Sequence, residues 1–227
     1  PKIRILAILG NSTGIDVQKD RDFLESLPNS EITFLVEPLL KDLNNQLWEH
    51  QWDILFFAGH SETHVDTGRI YINQTDSLTI NELSNALKTS IAQGLQLAIF
   101  NSCDGLGLAR QLAKLNIPQI IVMRQPVPDK VAQEFLKNFL EAFSNGKSLY
   151  LASREAREKL QGLEDKYPSA TWLPVIFQNP AVIPLTWNSL LIAKSGTSVP
   201  KRHKRSLTKL LATSLVVTMS IIGARFG

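Results

Sequence analysis

Six short apolar segments, separated by stretches with helical spacing, dominate the pattern of this 227-residue sequence. Apolar runs of this length, bounded by glycine and polar turns, are typical of buried β-strands. Strands that are apolar on both faces and alternate with helices indicate a mainly parallel sheet covered by helices on both sides. The strands are predicted at residues 3–9, 32–36, 53–58, 95–100, 119–123 and 172–177.

The segments between these strands have the apolar spacing of amphipathic helices. Pro174 lies inside the sixth strand, which favours a position at the edge of the sheet because proline cannot donate to a central ladder. A hairpin is predicted from the short runs at 68–72 and 78–80. The helices are predicted at residues 16–27, 39–49, 81–89, 106–115, 130–143 and 148–163.

The charge is unevenly distributed along the chain. Of 24 basic residues, seven lie in residues 194–227, which contain no acidic residue, so residues 1–193 hold 17 basic and 21 acidic residues. A mildly acidic body is not typical of a nucleic-acid-binding domain, and no nucleic-acid partner is predicted. The single cysteine excludes an internal disulfide and any cysteine-cluster metal site.

The last part of the chain differs in composition from the body. We predict a body at residues 1–184, a linker with a basic cluster at 185–205, and the start of a transmembrane helix at 206–227. The apolar run 210–224 would reach about 22 Å as a helix, so a span of roughly 30 Å is expected to continue beyond it. The basic cluster favours a body on the cytoplasmic side of the membrane. An apolar helix docking on a further domain is the alternative.

Chemically reactive side chains follow two of the predicted strands. The third strand ends in Ala58-Gly59-His60, and the fourth is followed by Asn101-Ser102-Cys103. Functional residues collect at the carboxyl ends of parallel strands, and a histidine close to a thiol can act as the base that generates a thiolate. The spacing alone leaves a Cys103–His60 dyad open. A small buried core cysteine and a turn histidine are the alternative interpretation.

Other motifs give weaker signals, and we predict no metal and no cofactor. His60 and His64 are four residues apart, but this spacing aligns metal ligands only on a helix, and the stretch follows a strand. Gly105-x-Gly107 lacks the third glycine of a dinucleotide loop, since Arg110 occupies that position. The segment 10–14 is predicted to be a polar turn between a strand and a helix rather than a phosphate-binding loop.

Taken together, these residues resemble the CHAT branch of the caspase-like cysteine peptidases. Besides the two strand ends, residues 125–158 are similar to the CHAT pattern of a Pro-x-Asp turn, a Phe-rich helix, a Gly-Lys-Ser junction and an Ala-x-x-x-Ala-Arg helix. The segment 172–177 resembles the last strand of that family. The resemblance covers roughly residues 1–180. It implies a three-layer α/β/α fold with a mainly parallel six-stranded sheet, here followed by a C-terminal apolar helix.

The resemblance also implies roles for individual residues. Cys103 would be the nucleophile and His60 the general base and acid, with the backbone N–H groups of Cys103 and Ser61 holding the oxyanion. The family usually has glycine at the position of Ser61. Asn101, two residues before the nucleophile, would line the pocket for the residue before the scissile bond. Its neutral amide favours cleavage after an uncharged or polar residue, and a simple strand-end cap is the alternative.

The expected function is therefore a cysteine endopeptidase acting on a protein or peptide substrate. The resemblance further implies the cytoplasmic output module of a membrane sensor, with a fused extracytoplasmic sensory domain as a possible partner. A catalytically inactive interaction module of the same fold is one alternative. A small-molecule-binding, receiver-like domain, in which Cys103 is dispensable, is another.

Overall fold

The computed structural model describes residues 1–65, 67–103 and 105–194, and a six-stranded sheet lies at the centre of this part of the chain. Its strand order is β2-β1-β3-β7-β8-β9; the first five strands are parallel, and β9 runs antiparallel to β8. A second sheet has the order β4-β5-β6. The strands are β1 Ile3–Leu9, β2 Ser30–Val36, β3 Ile54–Gly59, β4 Ser61–His64, β5 Thr67–Tyr71, β6 Ser77–Thr79, β7 Leu97–Ser102, β8 Gln119–Met123 and β9 Pro174–Gln178.

Helices cover both faces of the large sheet, which confirms the predicted three-layer α/β/α class. Residues of α1, α5, α6 and α7 pack in one apolar cluster, and residues of α2, α3 and α4 pack in the other. Alternate residues of β1 face the two clusters, which explains why the strands are apolar throughout. The helices are α1 Val17–Glu25, α2 Leu40–Glu49, α3 Ser84–Ala92, α4 Leu106–Lys114, α5 Asp129–Ser144, α6 Leu149–Lys159 and α7 Trp187–Lys194. Single 3₁₀ turns lie at Ile80–Leu83, Leu160–Leu163 and Ala170–Trp172.

The helix α7 lies inside the segment that was predicted to be a linker. Trp187 is only 2% exposed, packs edge-to-face on Phe143 at 5.7 Å, and donates its indole N–H to the carbonyl of Pro28 at 3.2 Å. At the other end of the helix, Lys194 pairs with Asp53 at 2.6 Å. The structure therefore continues the body at least to residue 194.

The predicted basic cluster and the predicted apolar helix at 206–227 lie outside the described residues. Within residues 1–65, 67–103 and 105–194, none of the helices has the length and apolar character needed to cross a bilayer.

The small sheet packs closely against the beginning of α4. A Cβ atom on Gly68 would lie 2.3 Å from the backbone nitrogen of Leu108, so only glycine fits there. The N–H of Gly68 donates to the Gln111 side-chain oxygen at 3.1 Å, and the N–H of Gly107 donates to the Thr63 hydroxyl at 3.3 Å. Thr63 thereby supplies a hydrogen-bond acceptor that the helix lacks, because its N-cap residue is a glycine.

Candidate active site

The register of the central strands places His60 and Cys103 at the same edge of the sheet. β3 and β7 are parallel neighbours, and Gly59 lies opposite Ser102. His60 and Cys103 each come one residue later along the chain. The two strand ends that the sequence singled out are thus adjacent in space, and their catalytic roles stay predictions.

The loop between β1 and α1 holds His60. The backbone N–H of His60 donates to the carbonyl of Asn11 at 2.9 Å, and its ring Nε2 lies 2.9 Å from the carbonyl oxygen of Thr13. A carbonyl oxygen can only accept, so Nε2 carries the hydrogen and the neutral ring has its lone pair on Nδ1. The Asn11 side chain in turn accepts from the N–H and the hydroxyl of Thr13 at 3.0 and 2.9 Å. The segment 10–14 is therefore a polar turn that orients the imidazole.

Cys103 is half-buried at the rim of the apolar cluster that contains α5. Its thiol donates to the carbonyl of Val127 at 3.5 Å. The helix α4 begins at Leu106, three residues after Cys103. In this arrangement the thiol and the imidazole each bond to a backbone carbonyl rather than to each other.

Ser61 is buried, and its side chain points into the protein. Its hydroxyl donates to the carbonyl of Cys103 and lies 2.8 Å from the Ser102 hydroxyl, which must be the donor of that pair because a hydroxyl has one hydrogen. Ser61 does not have a positive φ, so its backbone conformation does not require glycine. Serine therefore fits at a position where the family usually has glycine.

The N–H of Ser61 lies outside the β4–β5 ladder. Ser61 is opposite Ile70, and the neighbouring N–H of Tyr71 donates to the carbonyl of His60. In an antiparallel ladder, hydrogen-bonded pairs alternate with pairs whose backbone groups point away from each other. The Ser61 N–H therefore points away from β5.

A buried carboxyl group lies behind Asn101. Asn101 is 7% exposed, and its amide nitrogen donates to Asp20 of α1 at 2.8 Å. Asp20 is 1% exposed, and this burial, together with the negative charge of Asp129, raises the pKa of its carboxyl to about 7 although the Asn101 hydrogen bond opposes the rise. In this structure the Asn101 side chain faces the interior rather than an open pocket.

Sequence reasoning missed Thr13, Ser102 and Asp20. Thr13 acts through its backbone carbonyl, which leaves no signature in side-chain type. Asp20 had a detectable signal, because the helical spacing of Val17, Asp20 and Leu24 places the carboxyl on the buried face of α1.

Asp20 should make the stability of the protein depend on pH. Its folded-state pKa of about 7 lies above the ordinary value of 3.8, so between these values the folded protein binds more protons than the unfolded chain. The contribution of Asp20 to the free energy of unfolding is therefore present below the lower value and lost as the pH rises through the higher one. As the pH rises from the lower to the higher value, the free energy of unfolding of Asp20→Asn should therefore increase by more than about 1 kcal/mol relative to that of wild type. Urea unfolding of both proteins at several pH values measures the difference, and a constant difference would contradict the assignment.

Comparison with known proteins defines the family of the chain. The family model of the CHAT domain matches residues 16–194, which is more than half of the sequence. The chain belongs to the CHAT domain family. No match is found among the curated proteins.

The CHAT domain is similar in fold to caspase-like cysteine peptidases of known structure. The Arg-specific cysteine proteinase gingipain R has a TM-score of 0.58 and 12% identity, over 81% of this chain and 48% of the gingipain chain. The Drosophila initiator caspase Dronc has a TM-score of 0.58 and 8% identity, over 82% of this chain and 83% of the caspase chain. This CHAT domain thus corresponds to about half of the gingipain chain. At sequence identities of 12% and 8%, this structural similarity shows a shared fold.

Proposed function

We propose that this CHAT domain is a cysteine endopeptidase that cleaves a protein substrate through a thioester on Cys103. The observation that carries the proposal is the β3–β7 register, which pairs Gly59 with Ser102, the residues directly before His60 and Cys103, at the carboxyl edge of the sheet. The hydrogen bond from Nε2 of His60 to Thr13 supports it, because this bond leaves Nδ1 available as a base.

The proposed reaction starts with transfer of the thiol proton from Cys103 to Nδ1 of His60, which requires the thiol to leave its bond to Val127. The thiolate then attacks the scissile carbonyl carbon and forms a tetrahedral oxyanion. Collapse breaks the C–N bond, and His60 returns the proton to the leaving amine. Water, activated by His60, then hydrolyses the thioester and regenerates the thiol.

The oxyanion would be held by the backbone N–H groups of Cys103 and Ser61. The Ser61 N–H lies outside the β4–β5 ladder and is therefore available for this role. The Ser61 hydroxyl bonds to the carbonyl of Cys103 and so links the two segments that carry these donors. Fixed donors stabilise developing charge because they need no reorientation during the reaction.

Removal of the Ser61 hydroxyl should lower kcat without changing KM, since the bond affects the placement of the donors and not the binding of substrate. We expect Ser61→Ala to lower kcat by about five- to tenfold, equivalent to the loss of one hydrogen bond of about 1 kcal/mol. Ser61→Gly should lower kcat by a similar factor. Ser61→Thr should retain the hydrogen bond to the Cys103 carbonyl and most of the activity. Steady-state kinetics on a fluorogenic peptide measures these values. An unchanged kcat in Ser61→Ala would refute the positioning role.

We propose that cleavage follows an uncharged or polar residue. Asn101 is neutral, and the Asp20 carboxyl behind it is buried, hydrogen-bonded to Asn101, and partly protonated near neutral pH. For Asn101 to line the pocket, its side chain has to turn from Asp20 toward the substrate. A lysine or arginine head buried beside that neutral amide without a paired anion would cost several kcal/mol. Digestion of a peptide library tests this preference. A profile dominated by arginine or lysine before the cleaved bond would contradict it; gingipain R is named as an Arg-specific proteinase.

A catalytically inactive interaction module is the second candidate. The observation that favours it is the bond of the Cys103 thiol to Val127, which leaves the thiol and the imidazole unpaired with each other. Labelling of Cys103 by an electrophilic peptide distinguishes the two candidates, since an inactive module would not accelerate the reaction.

We further propose that the C-terminal region holds this CHAT domain at the cytoplasmic side of a membrane, as the output module of a sensor. The support is the basic cluster at 201–205 followed by the apolar run at 210–224. Deletion of residues 201–227 should move the protein to the soluble fraction. Complete extraction of the intact protein by carbonate would contradict a spanning helix.

A further inference from the structure

The strand β9 has an open edge. It lies at the end of the large sheet, and within the described residues no strand pairs with its outer side. Asn179 donates its N–H to Pro118, and Arg124 donates to Leu173, which fixes the hydrogen-bonded pairs of the β8–β9 ladder. By alternation, Val175 and Phe177 bond to β8. The N–H and C=O groups of Ile176 and Gln178 therefore point outward.

A cavity lies beside β9 on each face of the sheet. The side chain of Ile176 packs toward the cluster of α5 and α6, whereas that of Phe177 packs toward the cluster of α4. On the first face, a cavity of about 300 Å³ is lined by Phe135, Tyr150, Ser153, Arg154, Arg157 and part of β9. On the second face, a cavity of about 250 Å³ is lined by Ala113 of α4, by Asn116 and Ile117 of the following turn, by Ile120 of β8 and by residues 177–180. Side chains of a strand added to β9 would alternate between these two cavities.

The charge beside β9 points to the kind of segment that completes it. Arg154 and Arg157 line the cavity on the α5–α6 face. Nε of Arg154 pairs with the exposed carboxylate of Glu158 at 2.7 Å, and Nε of Arg157 donates to the carbonyl of Thr171 at 2.9 Å. Each guanidinium has five N–H donors, so both can also bind a carboxylate of a docked segment. A second copy of β9, paired antiparallel, would bring its residues 178–183 toward these arginines, and this segment has no acidic residue. Pro174 and Ile176 point to the α5–α6 face of the sheet. A residue of an added strand that lies directly opposite Pro174 points to the same face, so an acidic side chain there would lie on the face of the two guanidinium groups.

We propose that β9 is a docking edge for an extended peptide segment of a partner protein, with apolar side chains that enter the two cavities and an acidic side chain that pairs with Arg154 and Arg157. The backbone of the segment bonds to Ile176 and Gln178, and its apolar residues fill the cavity lined by Ser153 and the cavity lined by Phe177. This edge is distinct from Cys103, which follows β7, two strands away in the sheet. The proposal goes beyond the proposed peptidase function.

The test uses the full chain carrying Cys103→Ala, so that no probe can be cleaved. The probe is an acetylated and amidated peptide, Thr-Thr-Val-Leu-Val-Glu-Thr, in which leucine faces Ile176 and glutamate faces the arginines. Fluorescence anisotropy should show saturable binding, and amide hydrogen exchange should slow at Ile176 and Gln178 more than at Val175 and Phe177. The same peptide with lysine in place of glutamate should bind about fivefold more weakly, as expected for loss of an exposed ion pair.

Two substitutions make the result specific to this edge. Arg154→Glu should reverse the preference between the two peptides, whereas Lys88→Glu on α3, an identical charge change elsewhere, should not. Ile176→Pro removes an outward N–H, which an edge strand tolerates, and should abolish binding. Because it also removes the Ile176 side chain from its contact with the α5–α6 cluster, urea unfolding is measured alongside, and Ile176→Val, which keeps the N–H, should still bind. Failure of both peptides to bind at millimolar concentration, binding without protection of Ile176, or a dimer of the free chain that already protects Ile176 would overturn the proposal.

Discussion

Cys103→Ala is expected to abolish peptide cleavage and leave the fold intact. The thiol is the only sulfur nucleophile that the sequence contains, and its loss removes the atom that forms the thioester. The side chain is half-buried and small, so its truncation should change the free energy of unfolding by less than about 2 kcal/mol. Cleavage of a peptide library by both proteins, with urea unfolding alongside, measures the two effects.

The control for this substitution is Cys103→Ser, which keeps the shape of the side chain and supplies a far weaker nucleophile. It should also be inactive and about as stable as wild type. A Cys103→Ala protein that is folded and still cleaves peptides would show that another group carries the reaction.

Trp187→Ala is expected to lower the free energy of unfolding by about 3–5 kcal/mol, the usual cost of truncating a buried tryptophan. Trp187 lies in the apolar cluster with α5 and makes the edge-to-face contact with Phe143. Its indole N–H bonds to Pro28, so the substitution also removes a hydrogen bond. Urea unfolding followed by circular dichroism measures the loss.

The matched control is Ile192→Ala on the same helix, because Ile192 is 46% exposed whereas Trp187 is 2% exposed. It should change stability by no more than about 0.5 kcal/mol. A similarly small effect of Trp187→Ala would mean that α7 is not an integral part of the folded body.

The large sheet was predictable from the sequence because its strands are buried on both faces. β1 and β8 match the predicted ranges residue for residue, and β9 lies at an edge as Pro174 indicated. The strand β4 was missed because its sequence, Ser-Glu-Thr-His, is short, polar and without alternation. Its position depends on glycine contacts with α4, which are tertiary contacts that no local pattern reports.

The helix α7 was missed for a related reason. It follows a shift in composition that resembles a linker, and its contacts with the body are two buried side chains, Trp187 and Leu190, and the ion pair of Lys194 with Asp53. Two apolar residues three apart are too short a pattern to predict a helix by themselves. Tertiary packing decided the structure of this segment.

At the candidate site, the sequence predicted which strand ends meet and could not predict what holds them. His60 and Cys103 were found from strand spacing and residue type. The Thr13 carbonyl, the Ser61 hydroxyl on the Cys103 carbonyl, and the Asp20–Asn101 pair join residues that are far apart in the chain. Such contacts follow from the fold and are visible only once the strands are in register.

The most direct test of the proposed dyad is the rate at which a peptidyl acyloxymethyl ketone alkylates the protein, with the modified residue located by mass spectrometry. Wild type should be modified at Cys103, and Cys103→Ala should not react. His60→Ala should react at least about a hundredfold more slowly, which is the contribution expected of a positioned general base. An equal rate of Cys103 alkylation in wild type and His60→Ala would contradict the dyad.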